Sequence, residues 1–112
     1  MKNQIAELGA EYWKLLRNFE RTIERVPDDD RPRLQATARY AASRLSSILE
    51  NADLRIVCFD GQQFEVNLPV VPVNSDEVQG VERTVVERTL EPTVLDGMTV
   101  LMTGKVYLIP AA

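Results

Sequence analysis

Apolar residues in the first fifty positions recur at steps of three and four, the spacing that places side chains on one face of an α-helix. This apolar stripe comprises Ile5, Leu8, Tyr12, Leu15, Phe19 and Val26. Leu16 and Ile23 widen it on one side, and Thr22 is its one polar position. Three apolar positions per heptad favour a helix packed among several others over a two-stranded coiled coil. Trp13 falls outside the stripe, and we expect it to be partly exposed in a lone helical hairpin.

A second amphipathic helix is predicted after Pro27, which ends the first one. Asp28-Asp29-Asp30 and Pro32 supply the cap and first turn of this second helix. Its apolar positions are Leu34, Ala38, Ala41, Leu45, Ile48 and Leu49. Because the connection is short, the two helices are expected to pack antiparallel as a hairpin.

The two helices together carry more apolar surface than a single hairpin can cover. We therefore predict a homodimer in which two hairpins form a four-helix bundle. The residues expected at the dimer interface are Leu8, Tyr12, Leu15, Leu16, Phe19, Ile23, Leu34, Ala38, Ala41, Leu45 and Ile48.

The pattern changes to that of β-strands after Asp53. An apolar run over 54–59 leads into Asp60-Gly61, and residues 63–68 then alternate apolar and polar, so this segment is predicted to be a hairpin. A second hairpin is predicted around Asp96-Gly97, with a strand over 98–102.

A further strand is predicted over 105–109. In the stretch 81–90, Val81-Glu82-Arg83-Thr84 recurs five positions later as Val86-Glu87-Arg88-Thr89, and we interpret this repeat as chance or as a bulged strand. The proline-containing stretch before it is predicted to be a loop. About six short strands favour a compact sandwich or small barrel. The predicted layout is α+β, with a helical hairpin over 1–52 for dimerisation and a small all-β domain over 53–112 for partner binding.

The composition narrows the possible chemistry. The 112 residues include no histidine and one cysteine, Cys58. This composition leaves out catalysis based on histidine and the commonest zinc sites. Cys58 lies in an apolar run without an activating base nearby, so a buried structural thiol is the expectation. No apolar run approaches the length of a membrane span, and no secretory signal is recognisable, so we expect a cytoplasmic protein that contacts no membrane.

Charge is unevenly divided along the chain. Residues 1–50 carry nine basic and eight acidic groups, whereas residues 51–112 carry four basic and nine acidic groups. The acidic second half would repel a phosphate backbone, so nucleic-acid binding is not expected. Asp28-Asp29-Asp30 at a helix junction reads as capping chemistry, because the ligand spacing of a cation site is absent. We expect a non-enzymatic protein without metal or cofactor whose work is binding other proteins.

Several segments, in order along the chain, resemble the GrpE family, which exchanges nucleotide on Hsp70 chaperones. Residues 15–23 are similar to the first bundle helix of that family, and residues 45–54 to the end of its second. Gly61-Gln62-Gln63-Phe64 stands where the family has Gly-x-x-Phe-Asp-Pro. Residues 94–100, followed by Gly104-Lys105-Val106, resemble the last hairpin and strand of the family. The likeness spans about residues 12–110 and rests mainly on the order and spacing of elements.

The resemblance implies a co-chaperone that binds an Hsp70 or DnaK-like ATPase domain through its β-domain and promotes ADP release. The residues it assigns to partner binding are Asp96, Gly97, Met98, Leu101 and Tyr107. This chain differs from the family at two of them, because Met98 replaces a basic residue and Leu101 replaces an arginine. These differences keep an alternative open, in which a dimeric adapter of the same fold docks a different protein without exchange activity.

Overall fold

The computed structural model describes residues 1–112 and has an α+β architecture, as predicted. Two helices are followed by six strands in two three-stranded sheets. The elements are α1 (Lys2–Ile23), α2 (Arg31–Asn51), β1 (Leu54–Val57), β2 (Val70–Pro72), a 3₁₀ helix (Ser75–Val78), β3 (Thr84–Glu91), β4 (Thr93–Asp96), β5 (Thr99–Met102) and β6 (Gly104–Pro110). The chain divides into two compact units, Met1–Arg55 and Ile56–Ala112. Neither helix has an apolar stretch long enough to cross a bilayer.

The two helices of the first unit pack on each other through small and aliphatic side chains. Leu16, Ile23 and Ala38 form a buried cluster, and half-buried residues surround it. Near the other end, Leu49 of α2 lies so close to Gly9 that a Cβ on this glycine would stand 3.1 Å from the leucine Cδ2 atom. The missing side chain of Gly9 therefore allows the leucine to pack directly on the α1 backbone.

The expectation for Trp13 is wrong, because this side chain is only 9% exposed. The buried residues of α1 are Ala6, Gly9, Ala10, Trp13, Leu16 and Ile23. The predicted stripe lies beside this buried face, with Leu8 72% and Leu15 70% exposed. Both faces have helical spacing, so periodicity alone does not choose between them. Small residues allow closer packing than bulky ones, and the face containing Gly9 is the buried one.

Arg31 holds the connection between the helices together. Its guanidinium donates to the carbonyl oxygen of Val26 at 2.9 Å and forms an ion pair of 2.6 Å with Asp28. Asp30 occupies the N-cap position of α2, as predicted, but its side chain makes no capping hydrogen bond. Its carboxylate lies 3.9 Å from the Arg33 guanidinium instead. The aspartates therefore act here through charge, near arginines one turn along the chain.

Strand β6 is the central strand of the second unit. It pairs in parallel with β2 and antiparallel with β3, in the order β2-β6-β3. Val106 and Leu108 point inward from β6 and form a buried cluster with Val70 and Val86. The half-buried residues packed against it are Phe59, Phe64, Leu68 and Val78. Burial of each aliphatic side chain contributes roughly 1.5–3 kcal/mol, so this cluster stabilises the sheet.

The predicted hairpin over 54–68 does not form. β1 joins the other sheet, in the order β1-β4-β5, and residues 64–68 lie outside any strand. The chain after Gly61 instead follows the edge of β3, where Gln63 forms an isolated antiparallel bridge with Val85. Phe64 turns inward against the buried cluster, whereas Val66 is 95% exposed. Long-range pairing with β3 has overridden the local turn signal.

Two further strands refine the sequence expectations. The repeated stretch over 81–90 is a bulged strand from Thr84 onward, because β3 shifts register against β6 at two places, whereas residues 81–83 precede the strand. β2 lies in the stretch that was predicted to be a loop. It is a short edge strand that ends at Pro72. Proline has no N–H group, and it is tolerated in an edge strand because no further strand lies on the outer side to accept a hydrogen bond.

Gly104 has no room for a side chain, since a Cβ there would stand 2.5 Å from the Thr93 Oγ1 atom and 2.9 Å from the Glu91 carbonyl oxygen. We expect Gly104→Ala to lower the free energy of unfolding by about 1–3 kcal/mol, because backbone must shift to accept the methyl group. Chemical denaturation measures the loss. Thr103→Ala, at the exposed neighbouring position, should change the value by less than about 0.5 kcal/mol. Equal stability of the Gly104 variant and the wild type would contradict the packing described.

Candidate partner-binding surface of the β unit

The β4–β5 hairpin ends in a tight two-residue turn. Asp96 pairs with Thr99 in the ladder, which leaves Gly97 and Met98 as the loop residues. Gly97 has a φ of +61°, which the first central position of a type II′ turn requires. The turn leaves Met98 97% exposed, so the hairpin presents a flexible apolar side chain at its tip. The predicted Asp96-Gly97 hairpin is confirmed, although Met98 lies in the turn and β5 begins one residue later.

The other predicted hairpin residues lie behind this tip. Asp96 is half-buried at the end of β4, and Leu101 is half-buried in β5. A register shift between Val94 and Leu95 leaves Leu101 as the extra residue on its strand. Such an irregularity increases the local twist of a sheet edge. Four of the five predicted partner-binding residues are therefore held on one short, well-defined hairpin.

Tyr107, the fifth residue, lies in the other sheet, on the outward face of β6. The strand alternates, so that Val106 and Leu108 are buried while Tyr107 points out. Its ladder partner is Arg88 of β3, whose guanidinium carbon lies 5.3 Å from the centre of the tyrosine ring. This distance is within the range of a cation–π contact. Tyr107 therefore belongs to a polar surface distinct from the hairpin tip.

Glu77 completes the polar surface around Tyr107. The tyrosine hydroxyl donates a hydrogen bond to the Glu77 carboxylate, and the Asn74 amide donates a second one at 3.1 Å. These two bonds, the one from Tyr107 first, hold the pKa of Glu77 below its usual range, and desolvation opposes them. The same bond to Glu77 raises the pKa of Tyr107, followed by desolvation and the charges of Glu77 and Glu87, while Arg88 acts in the opposite direction.

Asn74 anchors this surface to the sheet. Its amide nitrogen donates to the Leu108 carbonyl oxygen at 2.8 Å, and its side-chain oxygen accepts from the Leu108 N–H at 2.8 Å. The side chain thus substitutes for a strand residue beside β6, just beyond the end of β2. Sequence reasoning missed Asn74 and Glu77 because their partners lie 30 or more positions away. The Asn74-Ser75 pair indicated only a loop.

The predicted dimer-interface residues fall into three groups according to their exposure. Leu16, Ile23 and Ala38 are buried between the helices of one chain. Half-buried members are Phe19, Leu34, Ala41 and Leu45. Exposed members are Leu8, Tyr12, Leu15 and Ile48. Three of the exposed side chains border an open apolar groove of about 120 Å³, which is lined by Ile5, Leu8, Gly9, Tyr12, Arg44, Leu45, Ile48 and Leu49.

Comparison with protein-family models, with curated proteins and with solved structures found no match to this chain.

Removal of the Tyr107 hydroxyl should raise the pKa of Glu77 toward its usual range, because the first of its two lowering hydrogen bonds is lost. We expect this shift in Tyr107→Phe, measured by NMR titration of the Glu77 side-chain carbonyl carbon. Tyr40→Phe, at an exposed tyrosine of the helical unit, is the matched control and should leave the titration unchanged.

The same bond gives a pH dependence of stability with a definite sign. A lowered glutamate pKa contributes stability that is lost as pH falls through the folded-state value, and a raised tyrosine pKa contributes stability that is lost as pH rises through its folded-state value. The difference in thermal midpoint between wild type and Tyr107→Phe should therefore be largest near neutral pH and shrink at both extremes. An unmoved Glu77 titration together with a difference constant over pH would contradict the contact.

Proposed function

We propose that this chain is a dimeric, GrpE-like co-chaperone whose β-hairpin docks on the ATPase domain of an Hsp70-type protein and promotes ADP release. The observation that carries the proposal is the β4–β5 hairpin, which presents Met98 at its tip with 97% of the side chain exposed. This hairpin lies in the segment where the sequence resembles the family. The order of elements, two helices and then a small β unit, also agrees with that resemblance.

The hairpin has the physical properties of a docking element. A two-residue turn with Gly97 at positive φ leaves little backbone freedom, so little entropy is lost when a partner fixes it. Methionine is unbranched and polarisable and adapts its shape to an apolar pocket. In water this side chain makes no contribution to the core, because it is exposed almost completely.

Exchange requires no bond chemistry on the exchange factor. A protein that binds the open form of a nucleotide-binding cleft more tightly than the closed form shifts the population toward the open form, and nucleotide affinity falls by the same factor. In this proposal the hairpin supplies the differential contact, and the half-buried positions behind it, Asp96 and Leu101, fix its orientation.

The dimeric state is proposed from the helical unit, as an antiparallel hairpin that pairs with a second copy. The contact of Gly9 with Leu49, near the start of α1 and the end of α2, supports an antiparallel arrangement. Leu8, Tyr12 and Leu15 stand at helical spacing and are 72%, 42% and 70% exposed. A two-fold interface brings the same patch of each copy together. Leu8, Tyr12 and Leu15 of one chain can then pack against the apolar groove of the other.

A carboxylate at the centre of this apolar patch should prevent dimerisation. We expect Leu8→Glu to weaken self-association at least about a hundredfold, because an unpaired charge would be buried at the interface. Sedimentation velocity over a concentration series measures the effect. Asn18→Glu places the same charge at an exposed polar position of α1 and should leave the dimer intact. A wild-type protein that is monomeric at every concentration would refute the proposed bundle.

The hairpin contact is tested by the release of fluorescent ADP from an Hsp70 of the same source, followed in stopped flow. We expect the wild-type protein to accelerate release and Met98→Glu to lose at least about nine-tenths of that acceleration, because a carboxylate cannot enter an apolar pocket without a large desolvation cost. Val66→Glu is the matched control, since Val66 is 95% exposed elsewhere in the β unit.

The outcomes separate the two candidate functions. Failure of the protein to bind the Hsp70 or to accelerate release would favour the adapter, which docks a different protein and for which the absence of a basic residue at position 98 and of an arginine at 101 is the supporting observation. Equal loss of activity in Met98→Glu and Val66→Glu would show that charge on the β unit, rather than the hairpin tip, is responsible. Absence of binding to the Hsp70 would overturn the exchange function.

A further inference from the structure

The side of α2 opposite its buried residues is exposed and carries no carboxylate. Only Ala38 and Leu49 of this helix are buried. At 100° per residue, Tyr40 lies almost diametrically opposite both of them. The exposed residues around it form what we call the Tyr40 face, comprising Arg33, Ala36, Thr37, Tyr40, Ser43 and Arg44. Tyr40 is 69% exposed, and the small side chains beside it leave its ring protruding.

The charge on this helix is one-sided. Residues 31–49 include four arginines and no acidic residue, and Glu50 follows only at the end. Arg39 and Arg44 form no ion pair within the chain, and Arg33 has only a contact of 3.9 Å with Asp30. The Arg33 side chain is 72% exposed. Cations on this part of the surface are therefore largely available to a partner.

Helix stability does not account for this distribution. A helix is favoured by acidic residues in its first turn and basic residues in its last turn. α2 has neither, and its first turn contains Arg31 and Arg33. Arg31 is explained by the connection, where it contacts Asp28 and the Val26 carbonyl oxygen. No comparable internal contact explains Arg33, Arg39 or Arg44.

We propose that the Tyr40 face is a second docking surface, which binds an acidic segment of a partner polypeptide. Arg33 and Arg44 stand on one side of the helix with Tyr40 between them, about 16 Å apart along the axis. An extended peptide of roughly five residues spans this distance. Its carboxylates would pair with the two guanidinium groups, and its aliphatic stems would lie against the tyrosine ring. This surface is independent of the hairpin and of the exchange function.

A polypeptide fits this surface better than a nucleic acid. Duplex DNA presents a phosphate about every 1.7 Å along its axis and is held by many cations at once. The Tyr40 face offers two arginines in one line, with Arg39 to one side, and the whole chain has a net charge of −4. A short acidic segment can meet the local positive charge without approaching the acidic residues elsewhere in the chain.

The test uses a fluorescein-labelled peptide of alternating glutamate and alanine, with fluorescence anisotropy measured on the full chain. We expect binding at low salt that weakens steeply as salt is raised, because exposed ionic contacts are screened. Arg44→Gln should weaken binding about fivefold, as expected for one exposed ionic contact. Tyr40→Ala should weaken it by a similar factor. Arg21→Gln, which neutralises an exposed arginine in the last turn of α1, is the matched control and should have no effect.

Circular dichroism of each variant establishes that the helices are intact. Three results would overturn the proposal. They are absence of binding at low salt, an equal loss in Arg21→Gln and Arg44→Gln, and binding of a single-stranded oligonucleotide as tight as that of the acidic peptide. Arg44 also lines the apolar groove of the helical unit. Weaker peptide binding by Arg44→Gln therefore supports the proposal when sedimentation velocity shows the same self-association as in the wild type.

Discussion

The pairing of the Asn74 side chain with both backbone groups of Leu108 is the interaction on which the β unit depends. β2 ends at Pro72, and the last backbone hydrogen bond on this side of β6 runs from the Val73 N–H to the Val106 carbonyl oxygen at 2.9 Å. The amide of Asn74 supplies the missing donor and acceptor. An unpaired backbone group at this buried position would cost about 1–3 kcal/mol. By satisfying the strand here, Asn74 also fixes the start of the 3₁₀ helix that brings Glu77 to Tyr107.

The helical unit is organised by a different constraint, which is that one helix can bury only one face against its partner. α1 has two adjacent apolar faces, and the one with Gly9 is buried. The bulky face with Leu8 and Leu15 is exposed to water, so these side chains do not contribute the folding free energy that burial would provide. In the dimer proposed above, a second copy would cover this face, and burial there would supply that stabilisation.

Local signals in the sequence were sufficient where the structure is local. The α+β class, both helices and the hairpin turn at Gly97 all follow from spacing and turn chemistry within a few residues. The failures concern long-range choices. The turn signal at Gly61 predicted a hairpin, but its N–H bonds to the Val86 carbonyl oxygen, 25 residues later. Nothing near Asn74 indicates that its partner is Leu108. Period alone also could not tell which face of α1 is buried.

The two candidate surfaces differ in the same way, because one is formed by residues adjacent in sequence and the other by residues far apart. The turn at Asp96-Gly97 could be predicted from its neighbours alone, because a tight turn is specified by adjacent residues. Met98 was expected in the strand that follows and lies in the turn instead. Tyr107 was grouped with Met98 by resemblance, yet it lies in the other sheet and contacts Glu77 and Arg88. Its hydroxyl is engaged with a carboxylate, so a partner would have to compete with this bond to recruit it. The bare apolar tip carries no such cost, which makes the hairpin the stronger of the two candidate contacts with a protein partner.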